Sequence, residues 1–152
     1  MKFLIQRVTH AKCTVNGEVT GEINNGLLVF IGIGRGDTTK IADKMISKLI
    51  NMRIFEDENE KINLPLENVN GELLLISQFT LYADCKKGNR PSFIESEAPQ
   101  KAEMMYEYII NQCNQNNKVK KVATGIFGAD MKISLENDGP FTIILDSNNL
   151  SI

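Results

Sequence analysis

The sequence predicts one α+β domain spanning residues 1–152, in which two helices cover a mostly antiparallel β-sheet or barrel-like core. Two apolar runs, at 27–33 and 73–76, are too short to span a membrane and are typical of strands buried on both faces. Two segments with helical periodicity, at 38–52 and 99–115, lie between groups of strands. This order of strands, helix, strands, helix and strands favours an α+β arrangement.

Composition limits the classes of function. The chain has 152 residues, of which 42% are hydrophobic, and a formal net charge of −2, so it has enough apolar sequence for a core and no overall basic field. A nucleic-acid partner would therefore be held by a few local contacts or by a short single-stranded end. The three cysteines are far apart and lack CxxC spacing, which indicates reduced thiols and a cytoplasmic protein. No signal peptide or membrane span is predicted.

The first strand is predicted at residues 2–8 and carries an arginine on an apolar face. Alternation places Arg7 on the same face as Phe3 and Ile5. Its guanidinium is then either buried against carbonyl or carboxylate acceptors, or it reaches solvent from an edge strand. Next, Asn16-Gly17 between the segments 12–15 and 18–23 predicts a two-residue hairpin.

A glycine-rich segment at 32–37 follows the strand at 27–33. It matches neither the P-loop nor the dinucleotide-binding pattern, which favours a tight strand-to-helix turn over a phosphate cradle. Asp37 or Thr38 is predicted to cap a helix that continues to about residue 52. A short strand at 53–55, an acidic turn at 56–61 and a loop at 63–71 are predicted next.

The central strand is predicted at residues 73–82, in the sequence LLLISQFTLY. Alternation would place Ser77, Phe79 and Leu81 on one face and Gln78, Thr80 and Tyr82 on the other. Unpartnered polar groups in a core strand cost about 1–3 kcal/mol each, so these side chains have partners in the core or form the floor of a ligand site.

A basic loop at 84–93 then carries Lys86, Lys87 and Arg90, the one local cluster of positive charge. This loop is either a solvated surface or a phosphate contact.

Pro99 suits the first turn of the second helix, which is predicted to reach residue 115. Strands are predicted at 119–123, 131–135 and 141–145, with a loop at 125–130 and a tail at 146–152. Gly139-Pro140 lies in the last predicted turn, either as an ordinary turn or with a cis peptide bond.

The chemistry available to this chain is restricted. The only histidine, His10, is not tied by sequence to Ser77, Thr80 or Cys85, so a histidine-based triad is not indicated. Neither metal-ligand spacing nor a cofactor motif is found. An enzyme with this sequence would work by positioning its substrate, with main-chain N–H groups stabilising an oxyanion and a proton acceptor on the substrate.

Two motifs together resemble the D-aminoacyl-tRNA deacylase family: the sequence SQFTL at 77–81 and the sequence NDGPFT at 137–142. The stretches QRV at 6–8, GNRPSF at 88–93 and TGIFGADM at 124–131 resemble the same family, so the resemblance runs from the first strand to about Asp146. Asn89 stands where a second arginine is common in the family, and Phe141 replaces a more usual valine.

The resemblance implies a homodimer with active sites at the subunit interface, in which Ser77, Gln78, Phe79 and Thr80 of one chain meet Gly139 and a cis-Pro140 of the other. It implies hydrolysis of D-aminoacyl-tRNA, and of glycyl-tRNA, at the 3′-terminal adenosine. The Gly139 and Pro140 carbonyls would hold the α-amino group and exclude an L side chain. Arg7 would orient those carbonyls, Phe79 and Phe127 would wall the adenosine pocket, and Met131 would line the site.

Threonine has no base to activate it, which favours assistance by the terminal ribose 2′-hydroxyl. Two alternatives stay open at this point: a non-catalytic RNA-binding module that uses Lys86, Lys87 and Arg90, and a small-molecule esterase with Thr80 as nucleophile.

Overall fold

The computed structural model describes residues 1–151; Ile152, predicted as the end of the C-terminal tail, lies outside the described residues. The two helices are α1 (Thr39–Asn51) and α2 (Pro99–Gln115). The strands are β1 (Lys2–Val15), β2 (Glu18–Ile23), β3 (Gly26–Gly32), β4 (Phe55–Glu56), β5 (Ile62–Leu64), β6 (Glu72–Ser77), β7 (Lys121–Thr124) and β8 (Lys132–Asp146). Short 3₁₀ turns occupy Leu66–Val69, Phe79–Tyr82 and Ser147–Asn149.

The main sheet is mixed and almost closes into a barrel. Its strand order is β2-β1-β3-β6-β7, and β8 pairs with the other edge of β1. The pairs that β1 makes are antiparallel, whereas β3–β6 and β6–β7 are parallel. Near the open seam, the Thr20 hydroxyl of β2 donates to the Thr124 carbonyl of β7 over 3.4 Å. The predicted class, a mostly antiparallel barrel-like sheet with two covering helices, is confirmed.

Alternate residues of the apolar strands enter two separate cores. Leu73 and Leu75 of β6 join the core beneath the helices, whereas Leu74 and Ile76 join the core inside the sheet. The amphipathic faces of α1 and α2 cover the first core. This division explains why β3 and β6 are continuously apolar: both of their faces are buried, as predicted.

Local signals correctly predicted several element boundaries. Asn16 and Gly17 have φ values of 51° and 81°, which is the left-handed backbone of a tight hairpin turn. The Thr38 hydroxyl accepts from the Ile41 N–H at 3.3 Å and caps α1, and Pro99 begins α2. The three cysteines are free thiols, and burial raises the pKa of Cys113 to about 12.

The prediction of a strand over 73–82 is wrong beyond Ser77. The chain leaves the sheet at Gln78 and forms a 3₁₀ turn, with the Leu81 N–H donating to the Gln78 carbonyl at 3.3 Å. A Cβ atom at Gly32 would lie 2.9 Å from Leu81 Cβ, so the missing side chain lets this turn lie directly on β3. The predicted alternation of Ser77, Phe79 and Leu81 therefore does not occur.

The prediction of a turn at 137–140 between two separate strands is also wrong. β8 is one strand whose two halves both run antiparallel to β1, and β1 itself continues to Val15 instead of ending at residue 8. Gln6 pairs with Thr142 and Val8 with Asn137, so residues 138–141 lie opposite Arg7 alone. These four residues form an enlarged bulge, which we call the Gly-Pro bulge. In addition, the segment predicted as loop at 63–71 contains the end of β5 and a 3₁₀ turn.

Candidate active site

A cavity of about 730 Å³ opens where the parallel strands β3 and β6 end. This is the position at which open α/β sheets usually bind ligands, because the chain departs from the carboxyl ends of adjacent strands. Residues from four segments line it: Ile31, Ile33, Arg35, Ile76, Ser77, Gln78, Phe79, Phe93, Ser96, Glu97, Ala98, Pro99, Ala102, Phe127, Gly128, Ala129, Asp130, Met131 and Ile133.

The floor of the cavity is the point where β6 leaves the sheet. Ser77 and Gln78 are half-buried there, and the Gln78 N–H donates to the Ile31 carbonyl at 2.8 Å. Within residues 1–151, the main-chain N–H groups of Phe79 and Thr80 donate to no backbone acceptor outside their own short turn. These N–H groups begin a helical turn, where donors lack intrahelical partners. Phe79 lines the cavity, so its main-chain donor lies at the cavity floor, and the Thr80 donor follows it in the chain.

The Thr80 side chain sits just outside the cavity. It is exposed, it does not line the cavity, and its hydroxyl accepts a hydrogen bond from the Gln78 side-chain amide. His10 is exposed on β1, where its ring lies 3.4 Å from the Thr9 hydroxyl, and it does not line the cavity either. No side-chain base therefore contacts the Thr80 hydroxyl among the described residues.

The walls of the cavity are aromatic and aliphatic. Phe79 meets Phe93 edge-to-face with the ring centroids 5.1 Å apart, and Phe127 packs against Tyr106 at 6.1 Å. The Tyr106 hydroxyl donates to the Leu75 carbonyl at 2.7 Å, and burial raises the pKa of this tyrosine. Met131 lies over Gly125, where a Cβ atom would collide with its sulfur. The predicted lining residues Phe79, Phe127 and Met131 are thus brought together with Ser77 and Gln78.

Charged groups stand at the cavity edge. The Glu97 carboxylate accepts the Ala98 N–H at 2.8 Å, and this hydrogen bond lowers the pKa of Glu97, so the group is ionised at neutral pH. Asp130 pairs with Lys132 at 2.7 Å.

The glycine-rich segment forms the tight turn that the sequence favoured, with the Gly34 N–H donating to Asp37 Oδ2 at 2.7 Å. No group of three or more His, Cys, Asp or Glu side chains in the described chain is placed to hold a metal ion.

The Gly-Pro bulge is the second part of the candidate site. The Gly139–Pro140 peptide bond is cis, and both residues are exposed. Arg7 is only 5% exposed and lies opposite the bulge on β1. Its Nη1 donates to the Ile54 carbonyl at 2.7 Å, and its Nε donates to the Asp138 carbonyl at 3.0 Å. The buried arginine predicted from the alternation of the first strand is therefore present.

The acceptors of Arg7 differ from the prediction. Its guanidinium contacts the Asp138 carbonyl and carboxylate, the latter at 3.2 Å, and not the carbonyls of Gly139 or Pro140. It also lies 4.6 Å from the centroid of the Phe141 ring. Arg7 thus contacts the residues on either side of Gly139-Pro140.

Sequence reasoning missed the role of Asn137. Its amide nitrogen donates to the Arg7 carbonyl at 2.9 Å and to the Phe141 carbonyl at 3.1 Å, so one side chain joins β1 to the far end of the bulge. A Cβ atom at Gly139 would lie 2.5 Å from Asn137 Oδ1 and 2.5 Å from the Phe141 nitrogen. The Asn-x-Gly spacing is the sequence signal that could have identified this clamp.

The cavity and the bulge are separate within one chain. Arg7, Gly139 and Pro140 are not among the residues that line the cavity. Lys86, Lys87 and Arg90 are exposed in the loop that precedes Phe93 at the cavity rim. Besides Asn137, the residues that sequence reasoning did not select are Phe93 and the lining contributed by β3 and the start of α2, because these come together only through the fold.

A family model and curated relatives identify one family, and two solved structures share the fold. Residues 4–146 match the family model described as D-Tyr-tRNA(Tyr) deacylase. A D-aminoacyl-tRNA deacylase of Thermosipho africanus is 51% identical over 150 residues, covering 99% of each chain. The solved structure of a c-Myc DNA Unwinding Element Binding Protein has 38% identity and a TM-score of 0.91, covering 96% of this chain and 98% of that one. A probable eukaryotic D-amino acid tRNA deacylase, 17% identical with a TM-score of 0.77, shares the fold over 95% and 97% of the two chains.

Proposed function

The chain belongs to the D-Tyr-tRNA(Tyr) deacylase family and is a D-aminoacyl-tRNA deacylase, and from this premise we propose how its cavity and its Gly-Pro bulge carry out the reaction. The terminal adenosine of the charged tRNA occupies the cavity between Phe79 and Phe127, with the ester at the floor formed by Ser77 and Gln78. Water adds to the ester carbonyl carbon, the bond from that carbon to the ribose oxygen breaks, and the ribose oxygen takes a proton. The products are free amino acid and tRNA.

Catalysis in this proposal relies on the main chain. The N–H groups of Phe79 and Thr80, which lack backbone acceptors outside their own turn in residues 1–151, donate to the oxyanion of the tetrahedral intermediate. Removing one such donor typically lowers a rate by about 10²–10³. The Thr80 hydroxyl is already bonded to the Gln78 amide and has no base, so the ribose 2′-hydroxyl assists the attack in its place. The reaction needs neither a cofactor nor a metal ion.

Chiral selection in this proposal requires a second copy of the chain. The partner's Gly-Pro bulge enters the mouth of the cavity, where the Gly139 and Pro140 carbonyls accept from the α-amino group and leave no space for an L side chain. Two observations support the homodimer. The cavity has no bulge residue in its own lining. The outer edge of the 15-residue strand β8 has no paired strand in the described chain, and long free edges favour pairing with another chain.

Three further expectations follow from the same mechanism. Glycyl-tRNA is a side substrate, because glycine has no side chain for the bulge to exclude. Lys86, Lys87 and Arg90 contact the tRNA near its 3′ end. The enzyme works in the cytoplasm, where charged tRNA is used; none of the described helices is long and apolar enough to cross a membrane.

The observation that carries the proposal is an aromatic cavity with the main-chain donor of Phe79 at its floor and, among the described residues, no side-chain base in contact with the Thr80 hydroxyl. The test compares hydrolysis of D- and L-tyrosyl-tRNA by purified protein in the presence of a metal chelator. We expect the D ester to be hydrolysed at least about 100-fold faster, corresponding to a difference of ~2.7 kcal/mol in the two activation barriers. Binding without release of amino acid would instead indicate a nucleic-acid-binding module, and a trapped acyl-threonine adduct would indicate an esterase that uses Thr80.

A mixing experiment tests the composite site. Gln78→Ala damages the cavity and Gly139→Ala damages the bulge, so homodimers of either variant should be weak catalysts. After the two variants are mixed and allowed to exchange subunits, half of the dimers are mixed and have one intact site each, so about a quarter of the wild-type activity should return. Recovery would be absent if cavity and bulge acted within one chain.

A further inference from the structure

The loop at 84–93, which we call the basic loop, is fixed at the rim of the cavity. Asp84 and Ser92 exchange both main-chain hydrogen bonds, at 2.8 and 2.9 Å, and close the base of the loop. The Asp84 carboxylate accepts the Lys86 N–H at 2.9 Å. The seven residues between Asp84 and Ser92 are all exposed. The base of the loop is therefore held in place while its tip faces solvent.

Phe93 joins this loop to the cavity. It directly follows Ser92, and its ring meets Phe79 edge-to-face at 5.1 Å. Both rings line the cavity, yet Phe93 is 37% exposed and Phe79 is 53% exposed. Ile94, the next residue, is 61% exposed. An apolar aromatic surface thus extends from the cavity onto the outside of the protein.

The basic loop itself carries a net positive charge, in contrast to the chain as a whole. The basic loop contains Lys86, Lys87 and Arg90 against the single carboxylate of Asp84, in a protein whose formal net charge is −2. The Asp84 Oδ2 atom lies 4.0 Å from the Lys86 Nζ atom. No ion pair involves Lys87 or Arg90 in the part of the chain that the structure describes. Lys87 is five residues from Ser92, so its Cα atom lies at most ~18 Å from the closed base.

Exposed aromatic rings beside unpaired cations are the combination that binds single-stranded nucleic acid, because bases stack on the rings while phosphates contact the cations. Building on the proposed function, we infer that Phe93 and the basic loop form a second subsite for the unpaired nucleotides that precede the terminal adenosine of the tRNA. A base stacks on Phe93 outside the cavity, and Lys87 and Arg90 contact the phosphates on either side of it. This subsite distinguishes a charged tRNA from a free aminoacyl-nucleoside.

The test compares two substrates that share the reacting ester, D-tyrosyl-tRNA and D-tyrosyl-adenosine. The variants are Phe93→Leu, which keeps an apolar side chain against Phe79, and the double variant Lys87→Gln/Arg90→Gln. The matched controls are Ile62→Ala for the loss of an exposed apolar side chain elsewhere and Lys40→Gln/Lys61→Gln for the loss of two exposed cations elsewhere.

We expect Phe93→Leu to lower kcat/KM for the tRNA by at least about fivefold more than kcat/KM for the adenosine ester, since one stacked base contributes at least that factor. The double variant should lower kcat/KM for the tRNA more than kcat/KM for the adenosine ester, because only the tRNA has the contacted phosphates. The double variant should also reduce the slope of log kcat/KM against log salt concentration by about 1.4, for two lost phosphate contacts on a single strand. The control variants should show neither effect.

Three results would overturn the inference: equal losses for both substrates, no loss for either, or the same loss in the Lys40/Lys61 control. A change in the sedimentation of Phe93→Leu would also overturn it, because Phe93 would then belong to the contact between two copies. Wild-type protein that hydrolyses neither D ester would overturn the proposed function as well. Active wild-type protein with an unchanged ratio between the substrates would overturn the second subsite alone.

Discussion

Replacing Asn137 with aspartate tests whether one amide group holds the Gly-Pro bulge in shape. The substitution keeps the size of the side chain but removes the N–H donors that reach the Arg7 carbonyl at 2.9 Å and the Phe141 carbonyl at 3.1 Å. Each hydrogen bond contributes about 1 kcal/mol, so Asn137→Asp should lower the free energy of unfolding by ~2 kcal/mol. For a chain of this size, that corresponds to a decrease in Tm of about 4–8 °C.

The effect of Asn137→Asp should depend on pH. The introduced carboxylate would face two carbonyl oxygens, which favour its protonated form and raise its pKa in the folded state. A pKa raised on folding means that the loss of stability is complete above the folded-state pKa and is relieved as the pH falls through it toward ~3.9, the usual value for aspartate. Asn137→Ala, which has no titrating group, should lose a similar stability at every pH.

Urea unfolding at pH 7 and pH 5 measures both stabilities, and the ratio of D- to L-tyrosyl-tRNA hydrolysis measures the shape of the bulge. Asn149→Asp, at an exposed position outside the bulge, is the matched control and should change the free energy of unfolding by less than about 0.5 kcal/mol. The reasoning is refuted if Asn137→Asp matches this control in stability and keeps the wild-type D-to-L ratio.

Four other substitutions test the remaining parts of the site. Arg7→Lys should lower the free energy of unfolding by about 1–3 kcal/mol in urea, because one ammonium group cannot replace a fork that reaches both Ile54 and Asp138. Gly139→Ala should lower the D-to-L hydrolysis ratio, since its Cβ atom would lie 2.5 Å from the Phe141 nitrogen; an unchanged ratio would contradict this. Thr80→Ala should keep more than about a tenth of the wild-type kcat, and an inactive variant that still binds tRNA would show that the hydroxyl takes part in the reaction. His10→Gln should keep the wild-type rate of D-tyrosyl-tRNA hydrolysis, because the only histidine lies outside the cavity.

Much of the fold was predictable because its signals are local. Asn16-Gly17 supplies the left-handed backbone of a hairpin, Thr38 caps α1, and Pro99 begins α2. Each of these features is determined by residues within a few positions of itself. The continuous apolar run of β6 was predictable for a related reason, since a strand with both faces buried needs an apolar side chain at every position.

The errors fall where a distant segment decides the local structure. The chain leaves the sheet after Ser77 because the missing side chain at Gly32, more than forty residues earlier, leaves space for the turn. The Gly-Pro bulge replaces the predicted turn because β1 continues past residue 8 and offers partners to both halves of β8. Neither condition is visible within the segment that it changes.

The fold class, the helices, the hairpin and the two family motifs could be predicted from residue types and their spacing alone. Only the tertiary structure decided that Phe93 stands beside Phe79, that Arg7 contacts the carbonyl of Asp138, and that Asn137 joins β1 to the end of the bulge. The physical reason is that hydrogen bonds and ring contacts depend on distances of a few ångströms between segments remote in sequence, and these distances are fixed only when the sheet has formed.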